Sequence, residues 1–199
     1  MESKQFWKKQ KEYPDFGNTK ERRLYELNYL VPHLKKTKSI LDLGCGDGSL
    51  IKCLMELTDI KKYYAYDISN NLMKHIPDKV TKKEYDIYSF ESLPKTEVTI
   101  MSGVSYCIFE DDIIENLLNN IESDILYIRD PLTLKNKREN IRTYSKKLKS
   151  EYAACYRTIS EYIKMLKNWK ITEINRIYPD SIESKFGTKQ FYFKCIRKK

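Results

Sequence analysis

A chain of 199 residues lies near the upper end of what one hydrophobic core can serve, so a single domain over residues 1–199 is expected. Its 41% apolar content suits a globular protein, and no apolar run approaches the roughly 20 residues of a membrane-spanning helix, which points to a soluble, cytoplasmic chain. The formal charge of +9 would suit an anionic partner, but the lysines run along the whole chain without the aromatic and glycine interleaving of an RNA-binding module, so they read as a solvated basic surface.

The elements follow in chain order. The leader is aromatic, from Phe6-Trp7 through Tyr13-Pro14-Asp15-Phe16-Gly17-Asn18 to Arg22 and Arg23, and reads either as a lid over a ligand or as a helix packed on the sheet edge. Over residues 20–34, Leu24, Leu27, Leu30, Val31 and Leu34 recur at three- and four-residue steps and predict a helix. Residues 39–43 predict a strand closed by an acid and a glycine turn, and Leu50, Ile51, Leu54, Met55 and Leu57 predict the helix behind it. The unit repeats with a strand at 63–66 ending in Asp67 and a helix at 70–75 that Pro77 ends. Further strands are expected at 83–88, 98–101 and 125–128, with a helix striped by Ile113, Ile114, Leu117, Leu118 and Ile121 between the last two. Residues 152–169 carry a long helical pattern, while 170–178 and 190–197 alternate as an antiparallel closing pair.

Strands alternating with helices imply an α/β, doubly wound, mainly parallel seven-stranded sheet with helices on both faces. Residues 1–37 form the N-terminal helical segment or lid, 38–131 the cofactor-binding core, and 132–199 the acceptor-side helices and closing strands. Ligands of such sheets bind beyond the carboxyl ends of the strands, where strand order switches. Cys45, Cys53, Cys107, Cys155 and Cys195 form neither a CxxC pair nor a zinc-ligand spacing, so reduced thiols and no metal are expected.

In Asp42-Leu43-Gly44-Cys45-Gly46-Asp47-Gly48 a strand turns sharply into a helix, and glycines allow a ligand close to the backbone. Asp67, about twenty residues on, can accept both hydroxyls of an adenosyl ribose, and Asp86 followed by Ile87 and Tyr88 could take an adenine amino group. A nicotinamide dehydrogenase shares the strand, loop and distal acid, but Ser49 stands where that fingerprint wants a glycine. No Lys-Ser or Lys-Thr pair follows the glycines to cradle a phosphate.

The segments around Asp42 to Gly48, Tyr66 to Ser69 and Asp86 resemble the first three motifs of class I S-adenosylmethionine-dependent methyltransferases, a likeness that covers roughly residues 38–131. It implies a Rossmann-like fold and S-adenosyl-L-methionine as cofactor. By matching position, Gly44 and Gly46 would meet the methionine part, Asp67 the ribose and Asp86 the adenine, with Cys45, Ile68, Ile87 and Ser102 beside them. Asp42 would orient the loop or the methionine ammonium.

Methyl transfer is an in-line displacement that asks mainly for positioning and exclusion of water. Neither His33 nor His75 falls at a strand's carboxyl end, so a base, if used, would be Asp130 or a tyrosine. Ser102-Gly103-Val104-Ser105-Tyr106 stands where the acceptor-facing loop begins in many members, and the Asn-Pro-Pro-Tyr of adenine or glutamine amino-group methyltransferases is absent. Residues 150–158 resemble an insert of bacterial small-molecule methyltransferases, in which Tyr156 and Arg157 would stack on a sugar and pair with an anionic group. Tyr106, Asp130, Tyr156 and Arg157 are therefore the expected acceptor-side residues. The expected acceptor is a small polar molecule, anionic or carbohydrate-linked, methylated on oxygen rather than nitrogen, with no specific nucleic acid and no membrane as partner. A tRNA or rRNA methyltransferase and a silent cofactor-binding module are the rival readings.

Overall fold

The computed structural model describes residues 2–12, 14, 19–145, 150–182 and 187–198; Tyr13 and residues 15–18 of the aromatic leader lie outside them. Helix α1 (Glu2–Lys9) and α2 (Thr19–Leu34) precede β1 (Ser39–Leu43), α3 (Ser49–Leu57) and β2 (Lys62–Asp67). Then come β3 (Thr81–Glu84), β4 (Thr96–Ser102), α4 (Asp111–Asn120), β5 (Ser123–Thr133), β6 (Glu139–Ser145) and β7 (Ser150–Tyr156). Helix α5 (Ile159–Met165), β8 (Trp169–Arg176) and β9 (Thr188–Arg197) complete the order.

Seven strands form one sheet in the order β3-β2-β1-β4-β5-β9-β8, as expected for the doubly wound class, while β6 and β7 pair apart as an antiparallel hairpin. Strands β1 to β5 run parallel, and β9 runs antiparallel between β5 and β8. Alternation along β5 sends Leu126 and Ile128 to one face and Tyr127 to the other, which divides the core. Leu117, Leu118, Tyr162 and Trp169 cover the first face from α4, α5 and β8; Leu30, Leu34, Leu50, Ile51 and Leu54 cover the second from α2 and α3. Each such side chain contributes on the order of 1.5–3 kcal/mol by leaving water. Strand order switches between β1 and β4, which places the ligand crevice at their carboxyl ends.

Three expectations fail. The helix expected over 152–169 is instead β7, a short link, and α5, with β8 starting at Trp169. Pairing decides it: Arg142 faces Ala153 and Asn140 faces Cys155 across the hairpin, and the helix begins only at a capping box in which Thr158 and Glu161 bond each other's backbone. The helix at 70–75 shrinks to a 3-10 turn, Leu72–His75. The third strand lies earlier than expected, at Thr81–Glu84, because Asp86 caps a second 3-10 turn, Ile87–Ser89, through Tyr88 N (3.0 Å).

Candidate active site

The loop from β1 to α3 is pinned to the end of β2. Gly44 N and Cys45 N both donate to Tyr66 O (2.7 and 3.2 Å), and Gly46 N donates to Asp67 Oδ2 (2.8 Å). Gly44 holds φ +78°, and a Cβ there would stand 2.3 Å from Val104 Cγ2, so neither conformation nor space admits a side chain. Ser69 N donates to Asp67 Oδ1 (2.8 Å). Burial pushes the Asp67 pKa up, and the N–H groups of Ser69, Gly46 and Ile68 pull against it. Gly46 and Ser69 each bond one oxygen of a carboxylate that has about four acceptor sites, so capacity remains for a ligand.

A cleft of about 760 Å³, open solvent at its mouth included, runs from this loop across the ends of β2 and β4. That is within the usual range for small-molecule sites. Gly44, Gly46, Asp67, Ile68, Asp86, Ile87 and Ser102 all line it. Asp42 and Cys45, also expected on the cofactor side, do not stand in its wall: Cys45 packs into the α2/α3 core, and burial holds its thiol well above the usual range. Asp42 is buried behind the loop with Oδ2 unpartnered; burial pushes its pKa up to about 7, with Arg23 pulling it down and Asp67 and Glu26 raising it further.

Helix α1 adds to the wall of the cleft. Lys4 and Trp7 line the cleft, Lys4 Nζ pairs with Asp86 Oδ2 and sits 5.4 Å from the Tyr88 ring centre, and Ser69 Oγ donates to Gln10 O (3.1 Å). The sequence carried no periodic signal for Lys4. Tyr66, Tyr85 and Tyr88 supply further walls, and each adjoins a strand-end acid already singled out or follows it closely. Gly103, Val104, Cys107 and Ile108 follow β4; the contact of Val104 with Gly44 is tertiary and leaves no trace in local pattern.

The acceptor-side residues fall outside the cleft wall. Tyr106 stacks on Tyr156 (ring centres 6.3 Å apart), whose hydroxyl bonds that of Tyr152 (2.8 Å); burial pushes the Tyr156 phenol up, away from use as a base. Asp130 is wholly buried beneath the Ser105–Cys107 turn, where Tyr162 OH (2.8 Å) and Ser105 Oγ donate to Oδ2; burial raises its pKa, but it does not reach the cleft. Arg157 does not stand in the cleft wall either. Its guanidinium is fully buried and donates to Asp111 Oδ1 (2.9 Å), Ser105 O (2.9 Å), Ile108 O (2.8 Å) and Phe109 O (3.3 Å), so every nitrogen is spent on the protein and none faces an acceptor.

The sequence model of FtsJ-like methyltransferases matches residues 23–130, just over half of the chain and the span that carries the loop, Asp67 and Asp86. The chain belongs to the FtsJ-like methyltransferase family. The search of curated proteins returns no match to this methyltransferase. Among solved structures it is similar to a 1,6-didemethyltoxoflavin-N1-methyltransferase from Burkholderia thailandensis with bound 1,6-didemethyltoxoflavin and S-adenosylhomocysteine (13% identity, TM-score 0.67, covering 93% of this chain and 82% of that one). It is also similar to magnesium protoporphyrin IX methyltransferase from Synechocystis with bound SAM (15%, 0.61, 89% and 80%). A third is an S-adenosylmethionine-dependent methyltransferase from Clostridium acetobutylicum (13%, 0.63, 92% and 94%). At such identities the likeness is one of fold. Among the described residues, no helix is long and apolar enough to cross a membrane and no cluster of metal-ligating side chains occurs.

The cleft fits S-adenosylmethionine. A half-buried carboxylate with acceptor capacity to spare stands at the end of β2, apolar side chains (Ile68, Ile87, Val104 and Ile108) flank the space beyond it, and the orphaned Asp42 Oδ2 lies behind the glycine loop.

Proposed function

We propose that this methyltransferase takes its methyl group from S-adenosyl-L-methionine and places it on a small polar acceptor. The observation that carries the reading is the Asp67 carboxylate, held by two backbone N–H groups at the rim of the cleft with acceptor capacity to spare for a ribose. Asp67 would hold the ribose hydroxyls, Ile68, Ile87 and Val104 would enclose the adenine, and Gly44 and Gly46 would admit the methionine part. When bound, the sulfonium supplies an electrophilic methyl group; the chain's task is to orient the acceptor and exclude water, and Lys4 and Trp7 bring α1 into the cleft wall toward that end.

The acceptor brings its own nucleophile. Of the acids at the cleft, Asp86 is paired with Lys4 and Asp67 is tied to the loop, and Asp130 lies beneath the turn. His33 is on α2 beside Glu173 and Lys194, and His75 ends its turn away from the cleft wall. An already nucleophilic acceptor, an ionised oxygen or an amine, therefore fits better than a neutral alcohol, which agrees with an anionic acceptor, carbohydrate-linked ones included. Calorimetric titration should give micromolar binding of S-adenosylhomocysteine, the usual range for enzyme substrates. Tight binding of a nicotinamide dinucleotide with no response to S-adenosylhomocysteine would overturn the cofactor reading. Labelled methyl transfer to tRNA or rRNA at a defined base would overturn the small acceptor.

A further inference from the structure

On the α2 side of the sheet, behind Ser102 and Gly103, the carboxyl ends of β1, β4 and β5 enclose a polar group that the proposed reaction has not used. Its centre is Glu26, 4% exposed, which accepts from Arg23 Nη1 and from Tyr178 OH (2.6 Å) and lies 3.1 Å from Arg129 Nε. One carboxylate thus stands between two guanidiniums, with Asp42 also acting on Arg23 and Asp130 on Arg129.

The unused donors are on Arg129. Its Nε donates to Ser102 Oγ (2.7 Å) and Nη1 to Gln190 Oε1 (2.8 Å), while Nη2 makes no hydrogen bond among the described residues. The side chain is 17% exposed, so the planar fork is fixed by three partners yet not sealed. Gly103, which lines the cleft, holds φ +74°, and a Cβ on it would come within 3.0 Å of that same Nη2. Arg129 does not itself line the cleft but stands behind Gly103, where a glycine keeps a Cβ out of the space in front of a guanidinium edge with two unused N–H donors. Such an edge, held flat and weakly hydrated, matches the two oxygens of a carboxylate.

We propose that Arg129 is the seat of a carboxylate at the Ser102–Gly103 edge of the cleft. The inference rests on the methyltransferase reading above. Two sources bring that chemistry to the edge: the amino-acid end of the cofactor, and a carboxylate on the acceptor. Arg157 cannot serve, since its donors are spent, and Lys4 is held at Asp86 on the far side of the cleft. Ser102, Gln190 and Glu26 act as positioning residues that fix the fork.

The test is a calorimetric titration of the whole protein and of Arg129→Met and Arg129→Lys with two ligands. S-adenosylhomocysteine carries the amino-acid end; 5′-methylthioadenosine has the same nucleoside thioether and lacks it. If the unaltered protein binds neither ligand, the methyltransferase reading itself falls; the carboxylate seat fails separately, in the variants alone. With the cofactor as source, Arg129→Met binds S-adenosylhomocysteine at least tenfold more weakly and 5′-methylthioadenosine within twofold of the original, and Arg129→Lys falls between. With the acceptor as source, both ligands bind Arg129→Met normally, and ligand-observed NMR shows acetate bound to the S-adenosylhomocysteine-loaded original but not to the loaded variant. Equal loss of both nucleosides would make Arg129 a scaffold residue, and normal nucleoside binding with no difference in acetate binding would empty the seat; either result overturns the proposal.

Discussion

Replacing Arg157 with alanine should damage the fold, not acceptor recognition. The guanidinium joins the link after β7 to the start of α4 through Asp111 and to the turn after β4 through three carbonyls, while Thr133 N donates to Arg157 O (3.1 Å) from β5. Alanine keeps only that last bond. Asp111 is not stranded, because Arg138 also pairs with it, so the deficit is the three carbonyls and the space left by the side chain. Leaving a buried acceptor unsatisfied costs about 1–3 kcal/mol, so three carbonyls toward the low end of that range cost about 3–5 kcal/mol together. At about 2–4 °C per kcal/mol for a chain of this size, Tm should fall by roughly 6–20 °C. Arg157→Lys can reach Asp111 but cannot span the carbonyls, so it should recover part of the loss. Burial raises the Asp111 pKa, but hydrogen bonds from Arg138 and Arg157 outweigh it and hold the carboxyl below its ordinary 3.8. A depressed acid stabilises the fold above its unfolded pKa and loses that contribution as pH falls through the folded value, so the gap between original and alanine variant should narrow below about pH 4. Scanning calorimetry across pH measures both effects. An unchanged Tm combined with a raised acceptor KM would refute the reasoning and return Arg157 to the substrate.

Asp67→Asn should weaken S-adenosylhomocysteine binding at least tenfold by calorimetry, because the amide has one acceptor oxygen where the carboxylate has two; equal affinity would move the ribose elsewhere. Asp42 holds its proton in the fold up to about pH 7 but releases it near 3.8 when unfolded, so it contributes stability that is lost as pH rises between these values. Urea midpoints of the original relative to Asp42→Asn should therefore decline from pH 4 to 7 and level off above, and a flat difference would show that Asp42 ionises freely. Lys4→Glu places like charges at Asp86 and should loosen α1, so amide exchange at residues 7–10 and S-adenosylhomocysteine release should both quicken several-fold; unchanged exchange would detach α1 from that contact.

Much of the cleft wall was legible because its signals are local. A buried apolar run ending in Asp42 and glycines, and strands ending in Asp67 and Ser102, each lie within a few residues, and the cleft forms where they converge. The acceptor half was misread for a physical reason. Ala153, Ala154, Tyr156, Ile159, Tyr162 and Leu166 fall at spacings a helix would also bury, and only pairing with residues 139–145 makes the first three a strand. The sequence did hold a correcting signal, Thr158 with Glu161 three residues later, which marks the true helix start. Arg157 then precedes the cap rather than riding on a helix, and its burial depends on carbonyls 48 to 52 residues away that no local pattern announces.

The position of β9 also sets a schedule for the growing chain. A ribosome releases residues in order, yet residues 188–197 fill the slot between two strands made earlier, β5 and β8. Until they emerge, β5 exposes a hydrogen-bonding edge alongside Leu126 and Ile128, and β8 has no neighbour in the sheet. The seven-stranded sheet is therefore completed by an insertion, slow by the rules of non-local pairing, and a chain stopped before residue 188 should aggregate through that open edge where one lacking α1 should still assemble its sheet.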